Sequence, residues 1–226
     1  ENPLAPVYRP GNVPFAGTAA PNRWHSFEGG GVEIGASSDG FAFDNERPRH
    51  RRLLEPYELA SRPITVGEVK AFIAGNGYHT PSLWLSDGVA AARAQSIEAP
   101  LYSTSNGDGY RTYTLRGWRA PSDDEPAAHL SFWEAEAMAR FLGGRLPTEA
   151  EWEGAASTLR TGNGNFADGP LVPQPGIGEG LGQLFGDVWE WTRSSYEPYP
   201  GFHSGPGALG EYNGKFMAQQ MVLRGG

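Results

Sequence analysis

The sequence predicts an α+β domain rich in loops. Three Ser/Thr-x-x-Glu boxes each open an amphipathic run, short alternating stretches lie between them, and 32 Gly and 19 Pro among 226 residues leave long connections. In each box the hydroxyl accepts from the third amide of the helix while the carboxylate reaches back to the cap amide, so a box marks a helix start. Gly and Pro together stand at roughly twice ordinary usage. Seven Trp, eleven Phe and nine Tyr nevertheless supply enough apolar surface for a packed core.

Taken in order, residues 1–24 are rich in Pro, Gly and Asn and read as an extended linker into a domain covering 25–226. Gly31–Gly35 is a short strand. A second runs from Arg51 to Leu59, with Pro56 marking an edge or a bulge. The Thr65/Glu68 box opens a helix with Val66, Val69, Phe72 and Ile73 on one face, stopping at Gly75-Asn76-Gly77. Residues 101–115 form a hairpin about Asn106-Gly107-Asp108-Gly109. The Ser131/Glu134 box opens a helix that buries Phe132, Ala135, Met138, Ala139 and Leu142. Its Glu136 and Arg140 pair on the wet side, and Gly143-Gly144 ends it. The Thr148/Glu151 box opens a shorter helix presenting Trp152, Ala155 and Ala156. After a Gly- and Pro-rich loop, Val188–Thr192 alternates as a strand with Trp189 and Trp191 on one face. A long loop then leads to a last strand at Met221–Arg224. Loops of this length in a compact domain are usually functional.

Charge and composition exclude several classes. A net charge of −8 disfavours sequence-independent nucleic-acid binding. No run approaches the roughly 20 apolar residues of a membrane span. With no cysteine, disulfides, thiolate metal sites and cysteine nucleophiles are absent from this sequence. The five histidines lie at least 25 residues apart and offer no pair on one helix or strand face, so no non-haem iron or zinc site wholly within the chain is expected. The chain lacks an initiator Met and ends on Gly225-Gly226 just after a strand-like run, and it reads as a piece of a longer protein.

The remaining polar clusters have two readings each. Asp187 and Glu190 either cap turns or pair with an Arg, or else join a structural calcium site, since hard oxygen ligands suit Ca2+. Asp44 and Glu46, beside Arg47, Arg49, Arg51 and Arg52, read as surface ion pairs rather than a phosphate site. Gly176–Gly182 lacks the spacing of a phosphate cradle, and Ser131 is a helix cap rather than a nucleophile. The late loop carries Phe202, His203, Tyr212, Asn213, Lys215 and Phe216. Such groups can line a pocket, where a phenol can donate a proton, or simply pack on the domain.

The segments His129–Ala137, Gly144–Glu153, Gln183–Trp191 and Val222–Gly226 together resemble the formylglycine-generating-enzyme superfamily, whose fold is a variant of the C-type lectin fold. Phe41–His50, Leu83–Gly88, Tyr199–Phe202 and Gly210–Phe216 narrow the resemblance to the sulfoxide synthases of ergothioneine biosynthesis. Asn2–Tyr8 resembles the linker after their N-terminal helical domain. The resemblance implies a cytoplasmic, non-haem Fe(II), O2-dependent enzyme that joins trimethylhistidine (hercynine) to the sulfur of γ-glutamylcysteine or cysteine. It also implies that the iron ligands sit in the upstream domain, that this domain supplies the other pocket wall, and that further substrate contacts follow the final Leu-Arg-Gly-Gly strand. On that basis Tyr212 is the proton donor, and Asn213, Phe216 and Phe202 contact substrate. The same fold also serves as a non-catalytic ligand-binding module, which stands as the alternative. A true formylglycine-generating enzyme is disfavoured because those enzymes work through cysteines.

Overall fold

The computed structural model describes residues 6–11, 13, 17–106, 109–159, 164–166, 169–176, 178, 180–208, 210, 216 and 219–226. The architecture is α+β, as the sequence predicts. Among the described residues it has strands β1 (Trp24–Phe27), β2 (Gly30–Ile34), β3 (His50–Leu54), β4 (Tyr57–Ala60), β5 (Ser103–Asn106), β6 (Gly109–Thr114), β7 (Gly117–Arg119), β8 (Trp189–Ser195) and β9 (Met221–Gly225). The helices are α1 (Val66–Ala74), α2 (Ser86–Gln95), α3 (Phe132–Phe141) and α4 (Glu149–Ala156). The strands form small antiparallel sheets, β1-β4, β2-β3, β5-β6-β7 and β8-β9.

All three capping boxes form. Thr65, Ser131 and Thr148 each accept from the third amide, and Glu68, Glu134 and Glu151 return to the cap amides. The core gathers around them. Val69 and Phe72 of α1 meet Ala137 and Met138 of α3 and Ala92 of α2. Phe72 is completely buried and sits edge-on to Tyr78 and Phe141, with ring centroids 5.3 and 5.4 Å away. A second cluster joins Trp152 and Ala156 of α4 to Leu184.

Several expectations need correction. The run Arg51–Leu59 is two strands, not one: β3 pairs with β2 and β4 with β1, parted at Glu55-Pro56. Pro56 cannot donate to a ladder, so the pairing ends there. Opposite it, Gly29 turns at φ +73°, where an added Cβ would press on the Glu55 carbonyl. The register is unbroken across the gap, Phe27 facing Tyr57 and Gly30 facing Leu54, so the two sheets are one ribbon folded at Gly29 and Pro56. The hairpin forms as β5-β6 and continues into β7, which places Leu115 in the connecting turn. On α3, Glu136 is buried while it pairs with Arg140 at 3.0 Å, and Leu142 is exposed. The helix is packed on two sides, by α1 and by β8, so its buried surface is wider than one stripe.

The described residues of the 1–24 segment lie along the domain. The amides of Tyr8 and Arg9 donate to the Leu115 carbonyl, and that of Ala20 to the Gly176 carbonyl. Among the described residues no helix is long and apolar enough to cross a membrane.

Candidate functional site

The late loop leaves β8 at Ser195 and returns into β9. Phe216 packs against Tyr196, centroids 4.8 Å apart, and edge-on against Phe202 at 5.3 Å. The structure therefore brings together two of the sequence-predicted substrate residues, Phe202 and Phe216, as one aromatic wall. Tyr212 and Asn213 lie outside the described residues, as does Lys215.

A buried ionic network ties this loop to the scaffold. The Tyr199 hydroxyl donates to Glu149 Oε1 at 3.0 Å. Arg224 of β9 reaches Glu149 at 3.4 Å and Glu153 at 2.8 Å. The Gly35 amide donates to the other Glu153 oxygen at 2.7 Å. Arg224 also lies over the Trp152 ring, 5.2 Å from its centroid, and the Tyr199 ring is 4.5 Å from that of His50. Glu149 and Glu153 lie four residues apart, one turn of α4, so both carboxylates face the same guanidinium. Burial pushes Glu149 above the usual carboxylate range, against the opposing pull of Arg224 and of the Tyr199 hydroxyl. Burial raises the Tyr199 phenol as well, helped by the charge of Glu149. Tyr199 is thus a neutral donor that anchors the loop.

The sequence reading did not assign roles to Tyr199, Glu149, Glu153, Arg224 or His50. Each belongs to one of the motifs it singled out, and the signal available was that four such motifs each contribute a member to a single network.

Beside this network lies a cavity of about 990 Å³ bordered by β1, β4, β6, α3 and β8. Glu190 is at its wall. One carboxylate oxygen accepts from the Trp152 indole at 2.9 Å, while Oε1 is sealed from solvent with no hydrogen-bond partner among the described residues. Burial pushes the Glu190 carboxyl up to about 7. Asp187, at φ +61°, is a loop hub: it accepts from the Asn165 and Gln183 amide groups and from the Gln174 backbone. Its three donors correspond to turn capping rather than pairing with an Arg.

The acidic run near Asp44 also differs from expectation. Asp44 and Glu46 accept from the backbone amides of Asn45 and Phe43, and among the described residues neither pairs with an arginine. Arg51 and Arg49 instead reach across the ladder to Glu33, at 2.9 and 3.7 Å. The histidines are scattered through the structure, and no group of three or more His, Asp or Glu side chains among the described residues could hold a metal ion.

Fold and motifs define a domain class, and comparison with known proteins identifies it. Residues 18–174 match the model of the sulfatase-modifying factor enzyme 1-like domain, so the chain belongs to the FGE-sulfatase family. Among curated relatives, the hercynine oxygenase of Mycolicibacterium smegmatis is 33% identical over 223 residues, covering 85% of this chain and 50% of the relative. The hercynine oxygenase of Mycobacterium tuberculosis is 34% identical over 220 residues, covering 85% and 50%. The formylglycine-generating enzyme of Streptomyces coelicolor is 27% identical over 214 residues, covering 75% and 68%. The chain spans about half the length of the hercynine oxygenases it matches.

Proposed function

We propose that this chain is the substrate-pocket domain of a non-haem Fe(II), O2-dependent sulfoxide synthase that joins hercynine to the sulfur of γ-glutamylcysteine or cysteine. The observation that carries this reading is the match of 85% of the chain, at 33–34% identity, to proteins named hercynine oxygenase. The convergence of the motifs on one anchored loop supports it.

The described residues do not fit an iron site, so the reading assigns the iron ligands to polypeptide outside these 226 residues, and no step is derived through the metal. The chain's own contribution is a wall. Tyr196, Phe202 and Phe216 offer aromatic faces against which the trimethylammonium of hercynine can rest, since ring quadrupoles attract a quaternary ammonium. The Tyr199–Glu149–Arg224 network holds that wall in place, as a site must be held to well under an ångström to be productive. Tyr212 is assigned the proton donor and Asn213 a substrate contact. A structural calcium ion near Asp187 and Glu190 remains a separate proposal, tested by calcium titration of the thermal midpoint.

The test is direct. The full-length protein, loaded with Fe(II) and given hercynine, O2 and either thiol, is expected to form the sulfoxide, read by mass spectrometry. Turnover of neither thiol, with formylglycine formed on a sulfatase peptide instead, would overturn the reading.

A further inference from the structure

The outer face of the β5-β6-β7 sheet carries a row of rings. Strand β6 turns Tyr110, Thr112 and Thr114 toward the central cavity, so the alternate residue Tyr113 faces the other way. Tyr113 stands opposite Trp118 of β7, ring centroids 5.9 Å apart, and 6.2 Å from Tyr102. The Tyr102 ring in turn meets His129 edge-on at 5.3 Å. Trp118 is exposed, so the row is open to solvent at that end. Aromatic-lined surfaces are where folded domains take proline-rich segments, whose stiff backbone loses little freedom on docking.

A proline-rich segment lies against this sheet. Pro6 and Pro10 bracket Val7-Tyr8-Arg9. The Tyr113 hydroxyl donates to the Pro6 carbonyl at 2.6 Å. The Leu115 carbonyl, in the turn between β6 and β7, accepts from the amides of Tyr8 and Arg9 at 2.9 and 3.2 Å. Gly117 leaves room beside the turn: a Cβ there would come within 2.9 Å of a Val7 methyl. The Arg9 guanidinium donates to the Gly169 carbonyl at 3.2 Å. Arg116, in the same turn, donates to the adjoining Pro170 carbonyl at 2.7 Å, so segment and turn are braced on one loop.

We infer that the outer face of β5-β6-β7 is a docking site for a proline-rich segment, filled in cis by residues 6–9, and that it fixes where the polypeptide before them meets the domain. Tyr113 recognises a carbonyl of the segment, Leu115 two amides, and Gly117 gives the Val7 side chain its seat. The occupant is this chain's own segment because its groups are the ones that meet these partners. Left undocked, a flexible stretch of about 20 residues would hold its ends only to roughly 25 Å, too loosely to set one wall of a pocket against another. Docking shortens that tether to the few residues before Pro6. The positioning role rests on the proposed activity, which assigns the iron ligands to other polypeptide. The docking itself does not.

The experiment is hydrogen–deuterium exchange on the full-length protein, read at the amides of Tyr8 and Arg9. In wild type they are expected to exchange at least tenfold more slowly than in a free peptide of the same sequence. Tyr113→Phe, which removes one hydrogen bond, should speed them about fivefold. Val7→Asp, which sets a charge in the apolar seat, should bring them close to the free rate. The β2-β3 ribbon should be unchanged in both variants. Free-peptide rates in wild type would overturn the docking. So would two variants that exchange like wild type, or protection that fades on dilution, which would make the occupant a second copy's segment. Turnover tests the positioning. With Fe(II), hercynine, O2 and thiol supplied, Val7→Asp is expected to lower kcat several-fold, and an unaltered kcat in a variant that has lost protection would overturn that role. Failure of wild type to turn over either thiol would instead sink the proposed activity and the positioning with it, while the exchange result still decides the docking.

Discussion

Arg224 is the residue on which most of the polar structure around the late loop depends. It faces two carboxylates of α4 with side chains that are each four-fifths or more buried, and it stacks on Trp152. Removing one member of a buried ion cluster leaves the others charged and uncompensated, a loss of about 3 kcal/mol. Arg224→Met is therefore expected to lower the urea midpoint strongly at neutral pH. The deficit should shrink as the pH drops, because Glu149, whose carboxyl is held by burial above the usual carboxylate range, can then become neutral. Glu190 gives a second pH dependence with a definite sign. Its folded carboxyl lies near 7 against an ordinary value of 4.5, so the folded state holds a proton that the unfolded state releases. The 226-residue chain is therefore most stabilised by this group below about pH 4.5 and loses that contribution as the pH rises to 7, roughly 3 kcal/mol in all. Thermal midpoints of wild type and Glu190→Gln across that range check it: the variant's advantage should grow with pH and level off above 7. An advantage constant with pH would show that Glu190 titrates normally.

At the scale of elements, the capping boxes are local devices with local costs. In α4, Thr148 accepts from the Glu151 amide at 3.1 Å, and Glu151 is itself held by two contacts from Arg145. Thr148→Ala is expected to cost about 1 kcal/mol in chemical denaturation. The fold in the first ribbon is a different kind of device. Gly29 has a positive φ and no room for a Cβ beside the Glu55 carbonyl. Gly29→Ala is thus expected to destabilise by more than 1 kcal/mol, whereas Gly31→Ala, where a Cβ meets open space, should be nearly neutral. These differences explain what was legible. The boxed helices were readable because cap and carboxylate sit three residues apart in sequence. Helix α2 was not: its cap is Leu85, which makes no side-chain hydrogen bond, and it ends at Ser96 in a left-handed conformation without a glycine. Strand β1 was hidden in a Pro-rich segment because its four residues are too few, and too exposed, to show a pattern.

At the scale of the whole molecule, the domain presents an aromatic wall held by a buried network, and the proposed role predicts how the wall responds. In the full-length protein, Phe202→Ala is expected to raise KM for hercynine several-fold with a smaller effect on kcat, because it removes binding surface present before and during reaction. Steady-state kinetics with hercynine as the varied substrate checks this. A fall in kcat alone would place Phe202 elsewhere in the reaction. Tyr199→Phe, which cuts the tie to Glu149, is expected to cost about 1 kcal/mol of stability.

The sequence by itself determined the α+β class, the three boxed helices, the aromatic core and the motif set that marks the family. These rest on spacing along the chain, where cap geometry and helical period are written directly. The tertiary structure decided which motif residues meet. Glu149, Glu153, Tyr199 and Arg224 become partners only because α4, the late loop and β9 converge, and that convergence follows from packing around Trp152 rather than from any local pattern. It also decided that Pro56 parts one ribbon into two sheets and that Glu136 is buried. Each of these depends on what lies on the far side of an element, which no window of sequence contains.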